Sequence, residues 1–403
     1  MLRYEFRAQA FVLALLLAAV LFLQAVPATH ADAVVATLNV GSGPTAMAVN
    51  TRNGDVYVAQ SLAENVLVIS GSSNNIVANV SGFDFPRDLA FDPANGNVYV
   101  GAETNNLYVM NGSTGAITAD ITNVNYSDAA VYDPGNGDLY LANGANNLVD
   151  VLQTSNDSLV ATVKVDGPTY ALAYDPANGD IYAAQPLNSV VSVIQGSTNT
   201  HVKDITVPVG CKDLSYDSAN GDIYVVGDFG IPVIQGSTNE VVANVTGLTG
   251  FVPTAVAFDS ENSQVYIATY ENAPFPDQQG MVATINGTTN KVVANISAGN
   301  DVRSMAFDPV NGNVYLASYG LQRIYVISPS ASPQVAPSTV VVYAIVVAIV
   351  ALTVVAAGFV RRKNRPQSTM VPQPPPPAAT SFSVRTPLLT NACFGIDFVL
   401  FVL

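Results

Sequence analysis

Side chains able to do conventional active-site chemistry are scarce in this chain, which has two histidines and two cysteines in 403 residues. His30 falls in an N-terminal segment expected to be removed, and His201 stands alone on a predicted strand, so no Ser-His-Asp or Cys-His constellation can be assembled. Cys211, beside Lys212, is the one conceivable nucleophile; without an imidazole base it reads as a small packed residue. Cys393 falls across a predicted membrane from Cys211, which excludes a disulfide between them. A recurrent Asp-Pro-x-Asn-Gly-Asp segment has the rhythm of a calcium loop but lacks the closing bidentate Glu, so it reads as a turn and no metal site is assigned. No cofactor motif occurs. What remains is carboxylate and cation chemistry, and where it gathers depends on how the chain repeats.

Seven tyrosines, Tyr57, Tyr99, Tyr140, Tyr182, Tyr224, Tyr266 and Tyr315, follow one another at intervals of 42, 41, 42, 42, 42 and 49 residues. Each opens a short apolar run behind an acidic or Asn-Gly turn. A period of roughly 40 to 45 residues filled with short strands is the signature of propeller blades. Blade four shows the unit: strands over 169–174, 181–184, 190–194 and 201–207, bounded by Gly, Pro and Asn turn chemistry. Asn-Gly recurs in six of the seven first turns, with Asn262-Ser263 in blade six, and predicts a two-residue hairpin with positive φ. The seventh copy ends after its third strand, at Ser328, while Val34 to Val40 (VVATLNV) has the pattern of a fourth strand. The reading is therefore an all-β, seven-bladed β-propeller over 34–328, with the N-terminal strand closing the last blade and covering an open sheet edge.

Both flanks look different. Residues 1–31 carry Arg3 and Arg7, an apolar stretch from Phe11 to Val26 and small residues near Ala28 and Ala31, as a secretory signal does. A linker (329–337) leads to 338–360, which holds no charge and is long enough for one C-terminal transmembrane helix. Arg361, Arg362, Lys363 and Arg365 follow it, and a Pro-rich tail runs through 361–403. The positive-inside rule puts that tail in the cytoplasm and the propeller outside the cell membrane. The chain carries a net charge of −15, and between Val34 and Pro337 there are 8 Lys plus Arg against 27 Asp plus Glu. So acidic an exterior repels phosphate backbones, which argues against a nucleic-acid partner.

Repeats reading D-P-x-N-G-x-[IV]-Y-V-A and then N-x-[VL]-x-V-I-x-G-S-T-N resemble those of the YVTN-family β-propellers of archaeal surface-layer and other exported proteins. The resemblance covers residues 34 to 328, although the tetrapeptide itself reads YVAQ, YVGA, YLAN, YAAQ, YVVG, YIAT and YLAS here. It implies an extracellular seven-bladed propeller and brings no universal catalytic residues with it.

Comparing the seven copies divides the disk. The DPANGD-type and GSTN-type turns recur nearly unchanged on one face; the loops from second to third strand and from blade to blade vary and share the other, where binding specificity usually resides. Five residues before each blade's first-turn acid, or its equivalent, stand Thr45, Arg87, Asp128, Tyr170, Lys212, Thr254 and Arg303, joined by Asp88 and Asp213. They should ring the channel mouth as a mixed-charge crown able to hold a carboxylate, a sugar or a partner side chain. The 49-residue interval marks an insertion, Glu271 to Gly280, where Tyr270, Glu271, Phe275 and Asp277 could anchor a partner. Seven sequons, at Asn79, Asn111, Asn125, Asn156, Asn244, Asn286 and Asn295, are glycosylation candidates. Two functions fit: a membrane-anchored, non-enzymatic surface module binding cell-envelope glycans or surface proteins, in adhesion or a surface layer; or an extracellular lactonase- or lyase-like enzyme using Asp88, Asp128 and Asp213.

Overall fold

The computed structural model describes residues 32–122, 124, 127–228, 230–272 and 279–329. The expected signal segment, membrane span and tail lie outside them, as do Asn125, Phe275 and Asp277. Among the described residues no helix is long and apolar enough to cross a membrane, and the one helical element is a 3₁₀ turn, Ser61–Ala63.

Seven four-stranded antiparallel sheets follow one another around a ring. First strands of successive blades touch, and those of blades one and seven also touch, which closes the circle. In blade four the strands are Ala171–Asp175, Asp180–Gln185, Val190–Gln195 and Thr200–Thr206. The last blade combines Val302–Asp308, Asn313–Ser318 and Arg323–Ser328 with the N-terminal strand Ala33–Asn39, paired antiparallel from Ala33↔Ser328 to Asn39↔Arg323. The expected closure is therefore present.

Among the described residues the core is divided. Seven apolar clusters each fill the wedge between two neighbouring blades. Near the axis the wedge is narrow and takes alanines such as Ala48, Ala90, Ala173 and Ala257; further out it widens and takes Val, Ile and the repeat tyrosines. Those seven tyrosines are all at most 1% exposed. Each buried ring contributes on the order of 2 kcal/mol by area alone.

Their hydroxyls tie neighbouring blades together. Tyr140 donates to Asn199 Oδ1 of the next blade at 2.6 Å and accepts from its own blade's Asn136 Nδ2 at 3.2 Å. Tyr182 meets Asn239, Tyr224 meets Asn290, Tyr315 meets Asn74 and Tyr99 meets Asp157 in the same way. Each acceptor sits in the left-handed conformation within the turn between third and fourth strands. Blade two has Gly115 at that position, and Tyr57 donates to the Gly112 carbonyl instead, at 2.6 Å. In the closing blade the chain ends replace the turn; there Asp32 Oδ2 accepts from Tyr266 at 3.2 Å and from Thr284 Oγ1 at 2.8 Å.

The first turns correct one expectation. They are four-residue loops, as between paired Asp133 and Asp138, closed by the Gly137 N–H donating to the Asp133 carbonyl at 2.9 Å. Only the glycine, or Ser263 in blade six, has positive φ; the asparagines do not. Asn136 acts through its side chain, accepting from the Asp138 N–H and donating to the Gly196 carbonyl of the next blade. A two-residue turn would leave no side chain placed to reach across that interface.

Candidate functional site

The channel along the ring axis encloses about 500 Å³. Its waist is apolar, with Met47, Leu89, Leu172, Leu214, Val256 and Met305 on the first strands. Thr45, Arg87, Asp88, Asp128, Tyr170, Lys212, Asp213 and Arg303 line it toward the variable face, so eight of the nine crown residues come together. Thr254 instead donates to the Ala268 carbonyl of its own blade, and Val256 supplies the wall there.

The cations of the crown are held from outside. Arg87 pairs with Glu103, Lys212 Nζ is 2.5 Å from Asp228, and Arg303 reaches Asp301 at 3.5 Å while its guanidinium carbon sits 3.7 Å from the centre of the Tyr319 ring. Each of these acidic partners comes from a variable-face loop, so every crown cation has its own counter-charge and Asp88, Asp128 and Asp213 stand in addition to those pairs.

Two of the carboxylates are exceptional. Asp88 and Asp213 take the place of a small residue, Ala46, Ala129, Ala171, Ala255 or Ser304 in the other blades, next to a register shift between first and second strands. Asp213 uses both oxygens, accepting from the Leu214 N–H and from the Val256 N–H of blade six, each at 2.9 Å. Asp88 is only 8% exposed, and its Oδ2 has no partner among the described residues. Burial pushes Asp88 up to about 7, and the nearby Asp128 charge adds to the shift. Burial likewise takes Asp213 to about 7, against the lowering effect of its two backbone donors. Near neutral pH each carboxyl therefore exchanges between hydrogen-bond donor and acceptor.

Tyr170 is the exposed aromatic of the crown, at 44%. Gly144 lies between it and Asp128: the Gly144 N–H donates to Asp128 Oδ2 at 3.1 Å. A Cβ at Gly144 would come within 2.5 Å of that oxygen and 3.2 Å of the Tyr170 ring. The loop glycine thus permits the carboxylate and the ring to stand side by side.

Other expectations resolve differently. Tyr270 and Glu271 belong to a strand, Gln264–Glu271, with Phe251↔Glu271 and Tyr270↔Gly280 paired; part of the insertion lengthens a hairpin, and Tyr270 is half-buried. His201 is not alone: its Nε2 is 2.8 Å from Asp204 Oδ1, which accepts from Ser192 Oγ at 2.5 Å. Burial alone would raise the Asp204 carboxyl, but the Ser192 and His201 hydrogen bonds outweigh it and hold it below the usual range. The order is wrong for nucleophile activation, because the carboxylate separates serine from histidine and Ser192 is fully buried. Cys211 is also fully buried and donates to the Val190 carbonyl at 3.2 Å; burial raises its thiol pKa. Among the described residues no three His, Cys, Asp or Glu side chains converge to hold a metal ion.

Comparison with known proteins adds the fold alone. No protein-family model matches the chain, and no curated protein matches it. A solved structure of Kuenenia stuttgartiensis hydrazine synthase is similar with a TM-score of 0.60 at 14% identity, over 76% of this chain and 99% of that one. Likeness at that identity speaks for the propeller and carries no activity across.

Proposed function

We propose that the chain is an exported, membrane-anchored binding module whose channel mouth takes a hydroxyl-rich ligand, such as the terminal sugars of a cell-envelope glycan. The observation that carries this reading is Asp88, a buried carboxyl whose Oδ2 has no partner among the described residues, in a polar crown that also holds the exposed Tyr170. Such an oxygen costs stability of about 1–3 kcal/mol when left unpaired, so a ligand hydroxyl that satisfies it binds with that advantage. Tyr170 offers an apolar platform for a sugar ring, while Asp128 and the paired cations supply directional hydrogen bonds.

Full-length protein in detergent should bind a glycan fraction from its own envelope, and Asp88→Asn should weaken that binding about tenfold or more while the fold persists. Unchanged affinity would remove Asp88 from the site. One observation favours an enzymatic alternative: a carboxyl poised near 7 beside a second carboxylate suits general-acid chemistry on a polymer. Release of cleaved saccharide during the same titration would select that reading.

A further inference from the structure

The seven sequons separate into classes once the strands are in place. Asn111 and Asn286 each open a turn between third and fourth strands, and their Oδ1 atoms accept from Thr114 and Thr289 N–H within it. Asn156 lies in the equivalent turn of blade three and accepts from the Ser158 N–H and hydroxyl. In these three the Asn side-chain oxygen is held by the turn itself, and in the third the sequon's own hydroxyl, Ser158, is held with it.

Three others share one position on the rim. Asn79, Asn244 and Asn295 stand five residues beyond the left-handed Asn74, Asn239 and Asn290, in the outer strands Asn75–Ser81, Glu240–Asn244 and Lys291–Ser297 of blades one, five and six. All three are exposed. Asn244 is engaged, because its Oδ1 accepts from the Ile231 N–H at 3.1 Å and Thr246 bridges to Lys291 of the next blade. Asn79 and Asn295 have no such role. In both sequons the middle residue, Val80 or Ile296, packs into an inter-blade cluster, while the Asn and the Ser two residues on, Ser81 or Ser297, are exposed along the strand's outer side. Two residues before each Asn, on the same side, an exposed valine stands out: Val77 at 59% and Val293 at 56%.

We infer that Asn79 and Asn295 are N-glycosylation sites whose oligosaccharides cover the free edges of blades one and six. An outer propeller strand pairs on one side only and offers its other edge to any second strand, the more so with a valine beside it. Blades two and four carry Asp120 and Asp204 at the same position, where a charge blunts the edge. A bulky, hydrated saccharide does the same work in blades one and six. In the transfer, the Asn Nδ2 forms a C–N bond to the anomeric carbon of a lipid-linked oligosaccharide phosphate. The anomeric C–O bond breaks, the phosphate carrier departs with its electron pair, and the amide proton passes to base. The inference rests on export, as the binding reading does.

The experiment is intact-glycopeptide mass spectrometry on the full chain purified from its native envelope, after labelling whole cells with a membrane-impermeant amine reagent. Label on propeller lysines with saccharide on the Asn79 and Asn295 peptides is the result expected; Asn79→Gln and Asn295→Gln should each remove one glycan mass and leave the melting midpoint within about 2 °C. Labelled protein with both peptides bare, or with saccharide on Asn111 and Asn286 only, would overturn the inference while leaving the binding module standing. Propeller lysines that stay unlabelled on whole cells yet react after lysis would overturn export, and both readings with it.

Discussion

The two faces of the disk are built by opposite rules. On the constant face the polar groups follow a repeated scheme: the tyrosine hydroxyl meets the next blade's left-handed Asn, and the first-turn Asn meets the next blade's glycine carbonyl. On the variable face the equivalent level of the ring holds arginines, a lysine, a tyrosine and acids with no repeating partner, and two carboxyls stand where other blades have Ala or Ser. One face repeats its hydrogen bonds across the interfaces, and the other sets side chains that differ from blade to blade. Buried carboxyl oxygens without a partner among the described residues occur on both, at Asp217 and Asp308 in the first turns and at Asp88 in the crown.

The largest effect should come from breaking the constant face where the ring closes. Removing residues 32 to 40 deletes the outer strand of blade seven along with the Asp32 acceptor for Tyr266 and Thr284. It exposes the edge Arg323–Ser328, and the expected outcome is loss of cooperative thermal unfolding, measured by calorimetry.

Next in size is a change on the variable face with the opposite sign. Asp88 and Asp213 have pKa values near 7 when folded against about 4 when unfolded, so the folded state binds more protons between those values. Stability therefore falls as pH rises from about 4 to 7 and levels off above. Asp88→Asn removes its share of that penalty. At pH 8 it should stabilise the protein by roughly 2–4 kcal/mol, with little change at pH 4, in denaturant titrations at both values.

A third change tests the rivets themselves. Tyr140→Phe keeps the buried ring but strips the donor to Asn199, and should cost about 1–3 kcal/mol without altering ligand affinity.

The smallest effect sharpens the rule of repeated partners. Tyr174 and Tyr216 hydrogen-bond to the first-turn acids Asp133 and Asp175 of the preceding blades, and burial first, then those acids, pushes both hydroxyls up to about 12. The next blade offers Phe258 to Asp217 and Val49 to Asp308, and in those two acids Oδ2 is buried without a partner and the carboxyl is raised by burial. Phe258→Tyr should supply the missing donor and add about 1 kcal/mol, read from the same titrations.

Much of the constant face was legible because the same residues recur seven times. Tyrosine spacing fixes the blade count, and the missing seventh outer strand leads directly to 34–40. What sequence could not show is interaction between copies. The hydroxyl of Tyr140 and the amide of Asn199 are 59 residues apart, and only the ring brings them together. Asp32 carried a usable signal, since it stands one residue before a fourth strand, where Asn74 and Asn290 stand in other blades. Asn-Gly predicts a two-residue hairpin through its backbone φ, whereas this Asn works through its side chain. On the variable face the crown positions followed from register alone, but whether Asp88 was solvated or buried depends on the neighbouring blade. Asp213 finds the Val256 N–H there and Asp88 Oδ2 finds nothing.

The division of the disk is tested most directly by amide hydrogen exchange on the full chain with and without a saturating envelope glycan fraction. Slowed exchange should appear in peptides spanning Arg87–Leu89, Asp128–Ala130, Tyr170–Leu172 and Lys212–Leu214, with the first turns such as Asp133–Asp138 unchanged. Protection confined to those turns, or absent from the channel mouth at saturation, would contradict the account.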